Sequence, residues 1–175
     1  MPGPVFIGGE AVSLRTIEEE DLPFLQREIN DPSVWRWIGR YRPVNAEQER
    51  EFFEEVVSEE GSVQLLVCVE SEPVGTVGLE FDHEAVRSAE LGYWIAPEYH
   101  GEGYGSEAAR LLTEYGFNER GCHRITARVF EGNGASRALL EGLGFTQEGR
   151  QREAHFSDGQ YRDLFWYGML AEEWG

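Results

Sequence analysis

The sequence predicts a mixed α/β (α+β) fold: a largely antiparallel, twisted sheet flanked by helices. Three observations carry that expectation. Three strand-like runs follow one another with short turns, over residues 63–70, 73–81 and 88–96, as in an antiparallel meander. A strand, a glycine-rich turn, a helix and a further strand then succeed each other between residues 88 and 130, which calls for a crossover. Two long strand-like runs close the chain about Ser157-Asp158-Gly159-Gln160, a hairpin turn.

Taken in order, residues 12–17 alternate like a strand, and Thr16 with Glu19 fits a capping box opening a helix to about residue 30. Asp31-Pro32 stops that helix, because the residue before proline disfavours helical backbone. Asn45 with Gln48 repeats the capping pattern before a second helix, whose Phe52, Phe53, Val56 and Val57 form one apolar face. After the meander, a helix over about 103–119 carries Ala108, Leu111, Leu112 and Tyr115 at i, i+3, i+4 and i+7. A strand over 124–130 alternates Ile125, Ala127 and Val129 with Thr126, Arg128 and Phe130. A fourth helix, about 135–143, sets Ser136, Leu139, Leu140 and Leu143 on one face before the closing strands at 145–156 and 161–170. The expected order is β-α-α-β-β-β-α-β-α-β-β.

Composition narrows the function classes. At 175 residues, with 41% hydrophobic and 13% aromatic content, the chain reads as a single domain over 1–175 with a packed core. The longest apolar run, 65–69, is far shorter than a membrane span, and Met1-Pro2-Gly3-Pro4 has no signal-peptide character. Cys68 and Cys122 form no disulfide or metal framework, and His83, His123 and His155 lack metal-ligand spacing. No metal and no membrane partner are expected, and the chain reads as a soluble cytoplasmic protein. The formal net charge is -18, and all 15 basic residues are arginine. That balance argues against a nucleic-acid partner. It fits either ordinary solubilising charge or a halophilic, acidic proteome, in which molar salt screens self-repulsion.

The densest chemical signal is Tyr99-His100-Gly101-Glu102-Gly103-Tyr104-Gly105-Ser106-Glu107, between a strand and a well-formed helix. A helix N-terminus with free backbone N–H groups holds phosphate. The spacing is neither the Walker G-x-x-x-x-G-K-[ST] nor the dinucleotide G-x-G-x-x-G, so a pyrophosphate cradle of a third kind is expected.

Residues 89–105, running from Ala89-Glu90-Leu91 to Gly103-Tyr104-Gly105, resemble the central motif of the GNAT acetyltransferases. In that family an Arg or Gln precedes the x-x-G-x-G/A turn that wraps the pyrophosphate of acetyl-CoA. His100 stands at that position here. Residues 129–145, with Asn133, Ser136, Glu141 and Gly144-Phe145, resemble the second CoA-facing motif, N-x-x-S then E-x-x-G-F. Asp31-Pro32-Ser33-Val34-Trp35-Arg36-Trp37 and Tyr161-Arg162-Asp163 are similar to the branch that acetylates the N-termini of ribosomal proteins. The resemblance spans about residues 12–170. It implies acetyl-CoA as cosubstrate, held by Ile95, His100, Gly101, Glu102, Gly103, Tyr104, Gly105, Ser106 and Asn133.

The chemistry follows from thioester aminolysis. The attacking amine must be neutral, and an α-amine, with a reference pKa near ~7.7–8, loses its proton more readily than a lysine at ~10.4. Glu90, on the strand before the cradle, is the first choice of general base, against a plain solvated carboxylate. Glu131 and Glu102 are weaker choices. The oxyanion needs a donor, which the resemblance assigns to the backbone N–H of Ile95 or its neighbour. The departing thiolate needs a proton, from Ser136 by resemblance or from a tyrosine, with Tyr99, Tyr104 and Tyr167 as candidates. Asn133 and Ser136 are equally ordinary helix-capping residues. Trp35, Trp37, Phe52 and Phe53 read as acceptor-pocket lining or core, and the final strand, with Leu164 to Tyr167, as homodimer interface or core.

The expected activity is N-acetyl transfer by direct attack in a ternary complex, with a protein N-terminal α-amine as acceptor. A small amine (polyamine, aminoglycoside or amino acid) is the alternative acceptor, and a non-catalytic acyl-CoA sensor is the alternative of another class.

Overall fold

A computed structural model describes residues 2–82 and 85–175; His83 lies outside the described residues. The strands are β1 (Val5–Gly8), β2 (Ser13–Thr16), β3 (Ser62–Val69), β4 (Glu72–Phe81), β5 (Ser88–Ile95), β6 (Arg124–Phe130), β7 (Thr146–Ser157) and β8 (Gln160–Leu170). The helices are α1 (Leu22–Ile29), α2 (Pro32–Ile38), α3 (Ala46–Phe52), α4 (Tyr104–Asn118) and α5 (Gly134–Leu143). They build one sheet of order β1-β2-β3-β4-β5-β6-β8-β7. Every neighbouring pair is antiparallel except β5–β6, which α4 joins as a crossover. The mixed, mostly antiparallel sheet flanked by helices is the fold the sequence predicts.

Three local readings change. The strand β1 precedes the first expected element, pairing with β2 across the Gly9–Val12 turn. The Thr16 hydroxyl is spent on the Glu18 carboxylate at 2.6 Å, so it does not cap a helix. The box forms instead as a short 3-10 turn, with the Glu18 N–H donating to Asp21 at 2.9 Å, and α1 follows. Asp31-Pro32 ends α1 and also starts α2, an additional helix. The Asp31 carboxylate accepts the Ser33 N–H at 2.7 Å, and proline fits the first helical turn because its missing N–H needs no partner there. The Asn45–Gln48 box forms as expected.

The apolar run in β3 is two interleaved faces. Leu65 and Val67 point into the larger core with α4 and α5, whereas Leu66 and Cys68 point into a second core beneath α1. A sheet covered on both sides is therefore apolar at every position. Fully burying each such leucine or valine contributes about 1.5–3 kcal/mol. Leu164, Phe165 and Tyr167 of β8 are buried in the chain itself, so these three serve as core.

Candidate active site

The candidate site sits where the sheet comes apart. β5 pairs with β4 over its whole length, and β6 pairs with β8 over its whole length. Between them, β5 and β6 pair only from Ser88–Arg124 to Glu90–Thr126. Beyond Glu90 the two halves of the sheet diverge. The Ala96 N–H donates to the Val74 carbonyl at 2.8 Å, and the β4–β5 register matches Gly75 with Ile95. Hydrogen bonding alternates along an antiparallel pair, so the N–H groups of Tyr93 and Ile95 face away from β4, into the opening.

At the end of β5 the chain turns through Pro97–Tyr99, and the His100 ring Nε2 donates to the Ile95 carbonyl at 2.7 Å. The side chain expected at a phosphate thus ties the turn to the strand. Gly101 and Gly103 have φ of +84° and +81°, a left-handed backbone that residues with a Cβ rarely adopt. A Cβ at either would meet open space, so conformation and not crowding requires glycine. The first intrahelical bond at this end runs from the Glu107 N–H to the Gly103 carbonyl, at 3.1 Å. The backbone N–H groups from Gly101 through Ser106, including those of Glu102, Tyr104 and Gly105, have no backbone partner among the described residues. A Cβ added at Gly105 would come within ordinary contact of Ile95 and Leu139, so α4 runs close to the strand there. The arrangement is an open ring of donors at a helix N-terminus, suited to a pyrophosphate.

Across the opening, α5 brings its N-terminus to β5. Asn133 is the cap, its Oδ1 accepting the Ser136 N–H at 3.2 Å. The Ser136 hydroxyl lies 2.6 Å from the Tyr93 hydroxyl. Burial pushes the Tyr93 phenol up to about 12, against the opposing effect of the Ser136 bond, so it stays protonated at neutral pH. Tyr93 is the residue that sequence reasoning missed. The available signal was its place two residues before Ile95, on the same side of the same strand. The tyrosines singled out instead are engaged elsewhere. Tyr167 donates to Glu141 at 2.9 Å and accepts from Arg137 at 3.1 Å, and Tyr99 and Tyr104 pack on the larger core.

On the opposite sheet face, beneath α1–α3, lies a cavity of about 200 Å³, lined among others by Glu49, Phe52, Glu80, Glu90, Tyr93 and Arg128. Glu90 is on its floor, with its carboxylate held by the Arg128 guanidinium at 2.5 Å. Glu131 lies apart, accepting the Asp163 N–H at 2.9 Å, and Glu102 is exposed on the cradle. Of the four aromatics singled out, only Phe52 lines the cavity; Phe53 packs under α1, Trp35 against Tyr41, and Trp37 is 40% exposed. Both cysteines are buried, and burial pushes the Cys68 thiol up to about 11 and that of Cys122 above its ordinary value, so neither is an activated nucleophile.

The acetyltransferase (GNAT) domain profile matches residues 12–146. The chain belongs to the GNAT acetyltransferase family. It is an N-acetyltransferase that uses acetyl-CoA. The Bacillus subtilis protein named "Putative ribosomal N-acetyltransferase YdaF" is 29% identical over 172 residues, covering 94% of each chain. Spermidine N(1)-acetyltransferase of Escherichia coli K12 is 30% identical over 169 residues, covering 93% of this chain and 90% of that one. The structure of Mycobacterium smegmatis RimJ in complex with CoA-disulfide is 26% identical, with a TM-score of 0.83 over 98% of this chain and 88% of that one.

Proposed function

We propose that this enzyme acetylates the α-amine of a protein N-terminus by direct attack on the acetyl-CoA thioester. The observation that carries the proposal is the opening between β5 and β6, where two strand N–H groups without a β4 partner lie beside a half-buried hydroxyl pair and a cavity lined by carboxylates. The donor ring at Gly101 to Ser106 holds the pyrophosphate, and the Asn133 side-chain N–H₂, whose amide oxygen caps α5, reaches the pantetheine arm. Glu90, directly or through water, takes the proton of the ammonium group. The neutral amine forms the C–N bond, and the oxyanion is met by the Ile95 N–H. Collapse breaks the C–S bond, the thiolate takes a proton from Ser136, and Ser136 regains one from Tyr93 through their shared hydrogen bond. The proton that the nitrogen sheds as the amide forms returns through solvent to Tyr93.

Similarity to the protein named putative ribosomal N-acetyltransferase YdaF supports a protein acceptor. A second reading, a polyamine acceptor, is favoured by the Glu49, Glu80 and Glu90 lining and by similarity to the spermidine enzyme. Thiol release with Ala- and Ser-starting peptides but not with polyamines supports the first; the reverse pattern replaces it with the second. Glu90→Gln should remove the acidic limb of the pH–rate profile. An unchanged profile excludes Glu90 as the base.

A further inference from the structure

Glu49, at the cavity, takes no part in the bond-making steps above. Glu49 of α3 is 1% exposed, and its Oε2 has no hydrogen-bond partner among the described residues. Burial pushes its carboxyl above the ordinary value, although the field of Arg40 opposes this. The two arginines lining the cavity are engaged elsewhere. Arg128 is paired with Glu90, and the Arg40 guanidinium lies over the Phe52 ring, 5.2 Å from its centre, with no ion pair to Glu49. A buried carboxylate left this way is costly, and such groups are retained where a ligand supplies the missing donor.

We infer that Glu49 anchors a second protonated nitrogen of the acceptor, so that the preferred substrate is a primary amine carrying a further cation. This rests on the reading above that the cavity receives the acceptor. The reacting nitrogen must be neutral and must lie at the opening by Tyr93, while the rest of the molecule occupies the cavity. Glu49 and Tyr93 line that same cavity from different elements, α3 and β5. A cation there completes the pairing of Glu49, an uncharged group leaves it unpaired, and an anion meets the charge of Glu49. A space of about 200 Å³ suits a flexible amine chain or an extended N-terminus followed by a basic side chain. Both sources share the required chemistry.

The test measures thiol release by the full chain with acetyl-CoA and two matched pairs: diaminobutane against butylamine, and Ala-Arg-starting against Ala-Gln-starting peptides. The dicationic member of at least one pair should be favoured about 10- to 100-fold in kcat/KM, mainly through KM, as expected for a charge-assisted hydrogen bond. The pair that shows the preference identifies the source. Glu49→Gln should abolish the preference and Glu49→Asp, which retains the charge, should keep part of it. Glu47→Gln, at an exposed position on the same helix, should keep it all. An unselective wild type, or full selectivity in Glu49→Gln, overturns this inference alone. Absence of thiol release with every amine overturns the functional reading and this inference with it.

Discussion

The proposed cofactor cradle and the proposed acceptor cavity lie on either side of the same strand end, and they are built on opposite principles. The cradle is one continuous segment, Gly101 to Ser106, whose donors are backbone N–H groups. The cavity draws side chains from α1, α2, α3, β3, β4, β5 and β6. Backbone donors recognise a phosphate whatever side chains flank them, provided φ takes the required sign. Side chains recognise an acceptor only through their joint arrangement. The comparison teaches why the cofactor can be read from local spacing while the acceptor cannot.

The largest effect is expected at the boundary between the regions, where Tyr93 of β5 meets Ser136 of α5. The double variant Tyr93→Phe/Ser136→Ala should lower kcat about 100-fold or more, the scale of lost general acid catalysis, with little change in acetyl-CoA affinity. If Ser136→Ala alone costs as much as the pair, the two hydroxyls act as one unit. Additive losses would separate them.

Next comes the cradle itself. Gly103→Val forces a β-branched residue into φ of +81°, and it should weaken acetyl-CoA binding about 10-fold or more by calorimetry. Gly105→Ala adds only a methyl at ordinary contact distance from Ile95 and should stay within about 3-fold of wild type. Equal losses in the two variants would show that crowding, not backbone conformation, governs the turn.

The cavity should respond in stability as well as selectivity. Because the folded-state pKa of the Glu49 carboxyl is raised, its contribution to stability falls as pH rises from the unfolded value through the folded one. Glu49→Gln should therefore stabilise the unliganded protein at pH 8 by about 1–3 kcal/mol, the scale of one buried unsatisfied group. At roughly 2–4 °C per kcal/mol, thermal melts resolve this. The gain should shrink below the unfolded carboxyl pKa, where both states are protonated; a gain independent of pH would assign it to packing.

The smallest effect concerns the field common to both regions. A chain at -18 repels a polyanionic cofactor, and both arginines near the cradle helices are engaged: Arg110 pairs with Glu114 at 3.4 Å, and Arg137 donates to Tyr167. Acetyl-CoA affinity should rise a few-fold as KCl is added from low values, because screening removes the repulsion. A steady fall would mean that local cationic contacts outweigh the net charge.

Much of the fold was legible because its signals are local. Alternation in 124–130, the Asn45–Gln48 box and the Asp158-Gly159 turn each depend on neighbours within a few residues. The errors share a cause as well. Thr16 has the right chemistry for a cap, but the Glu18 carboxylate takes its hydroxyl. Asp31-Pro32 is a stop and a start in the same dipeptide, and only the chain beyond it distinguishes them.

By itself, the sequence determined the strand–glycine turn–helix unit, and with it the family and cofactor, because φ preference and backbone donors need no distant partner. The tertiary structure alone decided which hydroxyl reaches Ser136, which carboxylate is tied to Arg128 and which is left buried without a partner. Tyr93 and Ser136 are 43 residues apart, and Glu90 and Arg128 are 38 apart. Side chains so distant in the chain meet only once β5 and β6 have paired for three positions and then diverged.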